Sequence, residues 1–299
     1  MKVVDPALFG SQLETSLKFR CLHQASFATL LFFASSALGQ SQSLATTKPA
    51  VDQRGFTFTE AYEGSGNSDG FITDLDSSVG YIFHKHFAVG MGVPYFFVQP
   101  STSKTGTTSA SGIGNPSFGV RYSTKLSALD FGTSVNSSVP IASTANGFST
   151  GHVTFDWSTH FAHEFSPFTP LFDMGVANSV QDSRFLHRAY TSYGDLSHFE
   201  GGSQLDLGDK VSFTATGYYI LPWGSQQIFL RGKKKSSLAQ SGASSLTKDD
   251  GVNLGFDYNW TRSLDLSAGY SHSAENVLNT FSFGIAFSSN SSHNKNSTR

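Results

Sequence analysis

Along most of the chain the large apolar residues fall on every second position. Phe87, Val89, Met91, Val93, Tyr95 and Phe97 alternate with Ala88, Gly90 and Gly92. Val252, Leu254, Phe256, Tyr258 and Trp260 alternate with Asn253, Gly255, Asp257 and Asn259, and Phe281, Phe283, Ile285 and Phe287 with Ser282, Gly284 and Ala286. Period two is the spacing of a β-strand, whose successive side chains point to opposite faces. The pattern predicts about twelve strands, at 55–62, 71–83, 87–98, 113–126, 129–141, 151–165, 167–180, 194–207, 210–222, 250–260, 263–272 and 278–287. No stretch reads as a long amphipathic helix.

The second face of these strands decides the fold class. A soluble sandwich turns its large residues inward and solvates the other face with Lys and Glu. Here the second face is mostly Gly, Ser, Ala, Asn and Asp, which suits the interior of a barrel whose aromatic face meets lipid. The expected fold is therefore all-β, a transmembrane antiparallel barrel. Its connections alternate in length: short at His84–His86, Ser127–Ala128, Ser166, Gly208–Asp209 and Thr261–Arg262, longer at 63–70, 99–112, 142–150, 181–193 and 223–249. Outer-membrane barrels have tight periplasmic turns, longer outer loops and an even strand number, which here puts both ends in the periplasm. Aromatic residues gather near strand ends, as at Tyr81, Phe83, Phe165, Phe168, Tyr218, Tyr219 and Trp260, where an apolar body and a polar edge both find a match.

Composition agrees. Only 14% of the 299 residues are charged, against about 25% in an ordinary globular protein, while Phe numbers 28 and Gly 29. At the N-terminus, "LKFRCLHQ" is basic, "ASFATLLFFASSALG" is a short apolar run, and Ala37 and Gly39 are small. That is the layout of a secretory leader, 1–39, cleaved after Gly39, and too short to span a bilayer. The part before Lys18 is long for such a leader, so translation is expected to start downstream, near Leu17. The one cysteine, Cys21, would leave with the leader, taking disulfides, thiol nucleophiles and thiolate metal sites with it. Removing residues 1–39 changes the net charge from −2 to −3, and no basic surplus points to nucleic acid. Residues 40–53 read as a periplasmic linker, 54–287 as the barrel and 288–299 as a disordered polar tail. The strand ending at Phe287 resembles the C-terminal signal read by the barrel-insertion machinery.

The stretch "GIGNPSFGVRY", followed by "LDFGTSVNSSVP", resembles the outer-membrane transporters named for the meta pathway of phenol degradation. The matching positions are Gly112, Gly114, Asn115, Gly119, Arg121, Tyr122 and Pro140, and the likeness runs to about Ser179. It implies a transporter-like barrel, with aromatic or otherwise apolar cargo.

With the aromatic face in lipid, Asp74, Asp76, Arg121, Lys125, Asp156, His160, Glu164, Asp173, His198, Glu200, Asp206 and Asp257 are expected to line the lumen. They would form either a mildly acidic path for neutral or cationic small solutes, or a hydrogen-bonded filling of a narrow interior. Asp156, Ser158 and His160 invite a lipid-hydrolase reading. Residues at i, i+2 and i+4 of one strand stand in a row, however, whereas a triad needs converging groups. Accordingly no catalytic, cofactor or metal site is expected. His84-Lys85-His86 reads as a hairpin turn and "GSGNSDG", Gly64–Gly70, as an outer loop. Lys233–Lys235 could meet the phosphates of lipopolysaccharide. "RFLHRAY", Arg184–Tyr190, is a loop segment that could fold inward as a constriction. The expected role is passive movement of small solutes gated by loops 181–193 and 223–249. The alternatives are a non-transporting structural, adhesive or lipopolysaccharide-binding barrel with a closed lumen and, more remotely, an outer-membrane lipid hydrolase.

Overall fold

The computed structural model describes residues 54–68, 70–100, 109–180, 182–183, 186–231, 238–239, 247–261 and 263–292. The expected leader and linker, and Lys233–Lys235, lie outside the described residues. In chain order the strands are β1 Gly55–Asn67, β2 Gly70–His84, β3 Phe87–Pro100, β4 Ala110–Ile113, β5 Ser117–Leu126, β6 Leu129–Ser138, β7 Thr154–His163 and β8 Phe168–Ala177. They continue as β9 Tyr190–Tyr193, β10 Leu196–Leu207, β11 Val211–Pro222, β12 Gln227–Leu230, β13 Leu238–Ala239, β14 Asp249–Thr261, β15 Leu264–Ser273 and β16 Leu278–Ser292.

The large sheet runs β2-β1-β16-β15-β14-β11-β10-β8-β7-β6-β5-β3, with β2 also paired to β3, so it closes on itself. Both β4 and β5 pair with β3 and act as one interrupted stave, which makes a barrel of twelve. Closure is required, because an unpaired backbone N–H or C=O facing lipid costs several kcal/mol (roughly) and an open edge would expose a row of them. The first and last staves close the ring over a long register, from Gly55 opposite Ser292 to Gly66 opposite Phe281. Among the described residues no helix is long and apolar enough to cross a membrane; the strands do the crossing.

Residues paired across a ladder share a face, so the registers fix inside and outside. Val89, Met91, Phe97, Phe118, Val120, Phe155, Trp157, Phe213, Val252, Leu254 and Ile285 are exposed on the outer face. Buried on the inner face are Asp74, Asp76, Asp156, His160, Thr216, Asn253, Ser271, Thr280 and Ser282. Such an exterior in water would be one large aggregation patch, and in a bilayer it is the solvated surface. Toward the short-turn end, aromatic rings touch from stave to stave. Phe83–Phe87, Phe87–Tyr122, Tyr122–Phe131 and Phe131–Phe161 have centroids 5.9, 5.0, 6.4 and 5.3 Å apart. This is part of an interfacial girdle.

The His84-Lys85-His86 stretch is the β2–β3 turn, with Lys85 and His86 between the strands. His86 donates from Nδ1 to the Ser123 carbonyl at 2.8 Å, and its ring lies 5.7 Å from Tyr122. Beyond shifts of a few residues at strand ends and the break between β4 and β5, three features differ from the sequence reading. The outer loop expected at 63–70 is mostly strand: β1 continues to Asn67 and β2 begins at Gly70. At the other end β16 runs five residues past Phe287, pairing Ser288–Ser292 with Thr59–Gly55. Those five residues, four serines and Asn290, show no alternation, but β1 needs a partner there and they supply backbone. Finally, β9, β12 and β13 make a separate three-stranded sheet inside the two longest loops.

Because outer and inner faces meet different solvents, one substitution should cost differently on each. Leu254→Arg, on the lipid side near the middle of β14, is expected to destabilise the barrel by about 2–4 kcal/mol. Ser212→Lys, on the inner face opposite Asp257, should cost under about 1 kcal/mol. Urea titrations of folding into lipid vesicles measure both.

Candidate functional site: the lumen and the segment that crosses its mouth

Three long connections meet at the outer end of the barrel. Loop 178–195 joins β8 to β10, loop 223–248 joins β11 to β14, and loop 139–153 joins β6 to β7. The first two pair with each other, β9 against β12 from Tyr190–Leu230 to Tyr193–Gln227, with β13 added on β12. Trp223 N–H donates to the Asp195 carbonyl at 2.7 Å and Arg231 N–H to that of Ala189 at 2.9 Å, so the described parts of the two loops are joined at both ends of β12. The third loop packs on them. Gly147, at φ +70°, lies so close to the Leu230 backbone that a Cβ would collide, and Phe148 stacks on Phe96 at 5.8 Å.

This sheet lies across the mouth. Staves β8 and β10 stand on the far side of the ring from β1 and β2, yet the loop between them reaches over. The N–H of His187 donates to Ser65 Oγ at 3.1 Å, and its Nε2 lies 2.9 Å from Asp74 Oδ1 and 3.8 Å from Glu63 Oε2. Next to it Arg188 pairs with Asp249 on β14 at 3.5 Å, and its N–H donates to Asp182 at 3.0 Å. From the second loop Arg231 pairs with the other oxygen of Asp182 and donates to the Arg188 carbonyl at 3.0 Å. Its guanidinium sits 4.6 Å over the Phe96 ring. Asp249 also accepts from Tyr218 Oη at 3.1 Å and from Ser273 Oγ.

The electrostatics are those of buried, mutually compensating groups. Burial works against a charge on His187, but the carboxylates of Asp74, Asp182 and Glu63 outweigh it, and the imidazole is pushed up to about 9. For Asp182 burial acts upward, and Arg231, His187 and the Arg188 N–H overcome it to hold the carboxyl below its usual range. His187 is 1% exposed, Arg188 7% and Asp249 1%, so water screens these charges little.

Beneath the crossing segment is a cavity of about 140 Å³. Val180, Leu186, Leu196 and Ile220 give it apolar surface, and Asp156, His198, Glu200, Arg188 and Asn253 polar groups. The polar wall is internally bonded: His198 Nε2 to Asp156 at 2.9 Å, Asn253 Nδ2 to Glu200 at 3.2 Å, and Thr216 Oγ1 to Glu200. Elsewhere on the inner face His160 Nδ1 meets Asp173 at 2.7 Å and Gln204 Nε2 meets Asp206 at 2.7 Å. Lys125 joins Glu164 at 2.9 Å and Asp130 at 3.5 Å. Among the described residues Arg121 has no carboxylate partner.

All twelve residues expected in the lumen lie on the inner face by strand parity, Glu164 just past the end of β7. They do not form one site. Asp156, His198 and Glu200 border the cavity, Asp74 and Asp76 lie under the mouth, and the rest line the wall. The sequence reading did not single out Glu63, Asp182, Arg231 or Asp249, which fell in expected loops. Glu63 shares the inward parity of Thr57, Thr59 and Ala61, and that was its available signal. In "RFLHRAY", Arg184 and Phe185 lie outside the described residues, whereas His187 and Arg188 are the inward contacts. Asp156, Ser158 and His160 do not form a triad, since Ser158 Oγ meets Ser134 Oγ, His160 meets Asp173 and Asp156 meets His198. The chain also carries a Gly-x-Ser-x-Gly pattern, Gly147–Gly151, that the strand-based hydrolase reading leaves out. It lies in loop 139–153 rather than at a strand-to-helix elbow, and the Ser149 Oγ accepts from the Gly151 N–H.

No family model and no curated protein matches the chain. Solved structures do. The COG4313 outer membrane channel from Pseudomonas putida F1 superposes with a TM-score of 0.56 at 8% identity, covering 79% of this chain and 96% of that one. The NanC porin and the KdgM porin give 0.46 and 0.45, each at 9% identity, covering 76% and 77% of this chain and 98% of theirs. The first of these shows the fold. With the apolar exterior, it places the chain among outer-membrane β-barrels.

Arg231 joins the two loops, so its loss should release them. In Arg231→Ala, Asp182 loses its cation, a change that costs about 3–5 kcal/mol for a buried pair. Loop 223–248 is then expected to be cut at least about tenfold faster by protease added outside intact vesicles, while the barrel keeps its heat-modifiable mobility on gels.

Proposed function

We propose that the protein is a passive outer-membrane channel for small solutes, narrowed at its outer mouth by the paired loops. The observation that carries this reading is the cavity directly beneath the crossing segment, inside a polar lumen. At about 140 Å³ it is close to the roughly 150 Å³ that accommodates one benzene-sized molecule. Its mixed lining suits a single-ring compound with a polar substituent better than a sugar chain, which needs polar contacts all round. The likeness of "GIGNPSFGVRY" to phenol-pathway transporters supports the same cargo class, and we propose membership of that family on those residues.

Charge supports a preference among solutes. Asp74, Asp76, Asp156, Asp173, Glu200, Asp206 and Asp257 stand on the inner face against Arg121 and Lys125. An acidic lining disfavours anions. A second reading, a closed structural barrel, draws on the internal pairing of the same groups: satisfied His–Asp pairs rigidify an interior as readily as they line a path.

Planar bilayers separate the two. The wild-type barrel is expected to give small, cation-preferring conductance steps, and Arg188→Ala/Arg231→Ala to give steps several-fold larger. Asp156→Asn/Glu200→Gln should lower the cation preference read from the reversal potential in a salt gradient. Silence from both the wild type and the loop variant would sink the channel reading.

A further inference from the structure

The strongest unexplained chemistry in the molecule is the junction where the crossing segment meets the wall. The carboxylates of Glu63 and Asp74, on the inner faces of β1 and β2, meet the imidazole of His187, and Asp76 stands two residues from Asp74 on the same face. Among the described residues, the neighbouring guanidinium groups are engaged elsewhere, Arg231 with Asp182 and Arg188 with Asp249. These acids and the imidazole meet in a place that water barely reaches.

The ligand atoms of Glu63, Asp74 and His187 all lie within 4.8 Å of one another. A tetrahedral ion with bonds of about 2.0–2.1 Å sets its ligand atoms roughly 3.4 Å apart, and the measured 2.9 and 3.8 Å bracket that spacing. Pairing between His187 and Asp74 accounts for only part of the arrangement. Asp74 Oδ1 and His187 Nε2 form a 2.9 Å ion pair, while His187 Nδ1 is buried without a hydrogen-bond partner. Asp76, two residues from Asp74 on the same face and 7% exposed, has a buried Oδ1 without a partner. Buried, unsatisfied carboxylate oxygens cost several kcal/mol (roughly) unless something positive occupies the space between them.

We propose that Glu63, Asp74 and His187, backed by Asp76, bind one divalent transition-metal ion of the zinc type, which fastens the crossing segment to the wall. One imidazole nitrogen with carboxylate oxygens is a donor set that suits zinc and disfavours calcium or magnesium, which take oxygen alone. Two ligands come from the wall and one from the loop, so the ion would act as a removable staple across the mouth. This does not depend on transport, since a closed barrel could be stapled in the same way.

The test uses the full chain folded in detergent micelles, carrying His84→Ala/His86→Ala to remove the paired turn histidines, stripped with a chelator and titrated with Zn²⁺. One equivalent per chain is expected, bound at least about tenfold more weakly after Asp74→Asn and after His187→Gln. Should either variant fail the heat-modifiability check, Co²⁺ loaded into the parent decides. One equivalent with the intense visible absorption of four-coordinate cobalt, displaced by Zn²⁺, supports the site. Absence of a one-to-one Zn²⁺ equivalent, or its retention in both folded variants, marks an adventitious ion only and overturns the proposal.

Discussion

Inside a bilayer no water satisfies a backbone group, so each stave of this barrel needs a partner on both sides along its whole length in lipid. The β1–β16 ladder meets that requirement where the sheet would otherwise have two open edges. Once the ring is closed, parity follows, because a strand cannot turn one residue over without a bulge. One set of alternate side chains must then face lipid and the other the interior. The interior of so narrow a ring cannot be filled by water alone, so the polar set has to satisfy itself.

That second constraint accounts for most of the inner contacts. His160 finds Asp173, His198 finds Asp156, Lys125 finds Glu164, and Glu200 collects Thr216 and Asn253. Toward the outer end the wall supplies more acid than base, with Glu63, Asp74, Asp76 and Asp249 presented inward. The cations that answer them come from the loops: His187, Arg188 and Arg231. Among the described residues, the loops carry the cations that answer this part of the wall.

The wall was legible in the sequence and the mouth was not, for a physical reason. A stave half in lipid must alternate over ten or so residues, and that pattern survives in Phe87–Phe97 or Val252–Trp260 without any knowledge of neighbours. Ser288–Ser292 carry no such pattern, since their place is set by the backbone needs of β1. The short strands β9, β12 and β13 pair with each other, and the residues beside them, His187, Arg188 and Arg231, are held by Asp74, Asp249 and Phe96, residues distant in sequence. His187 and Arg188 could be singled out as a basic, aromatic loop segment. Their partners could not, because which acid lies across the ring from a loop depends on the order of staves and the shear of the barrel. Glu63 was lost for a smaller reason: glycines at 64 and 66 resembled a turn, whereas here they continue β1.

Wall and mouth are stabilised by interactions of different kinds, and the difference bears on function. Backbone ladders in lipid have no competitor, so the ring opens only by unfolding. A buried ion pair has a competitor in water, and its net contribution is the small remainder of a large attraction and a large desolvation penalty. The crossing segment is held mainly by such pairs, with Phe148 against Phe96 and Leu186 adding modest apolar contact. It can therefore leave the mouth at a cost far below that of opening the ring. Removing a single partner while the segment stays docked is much more costly, because it strands a charge. The arrangement thus favours two states, fully seated and fully released, over a gradual loosening.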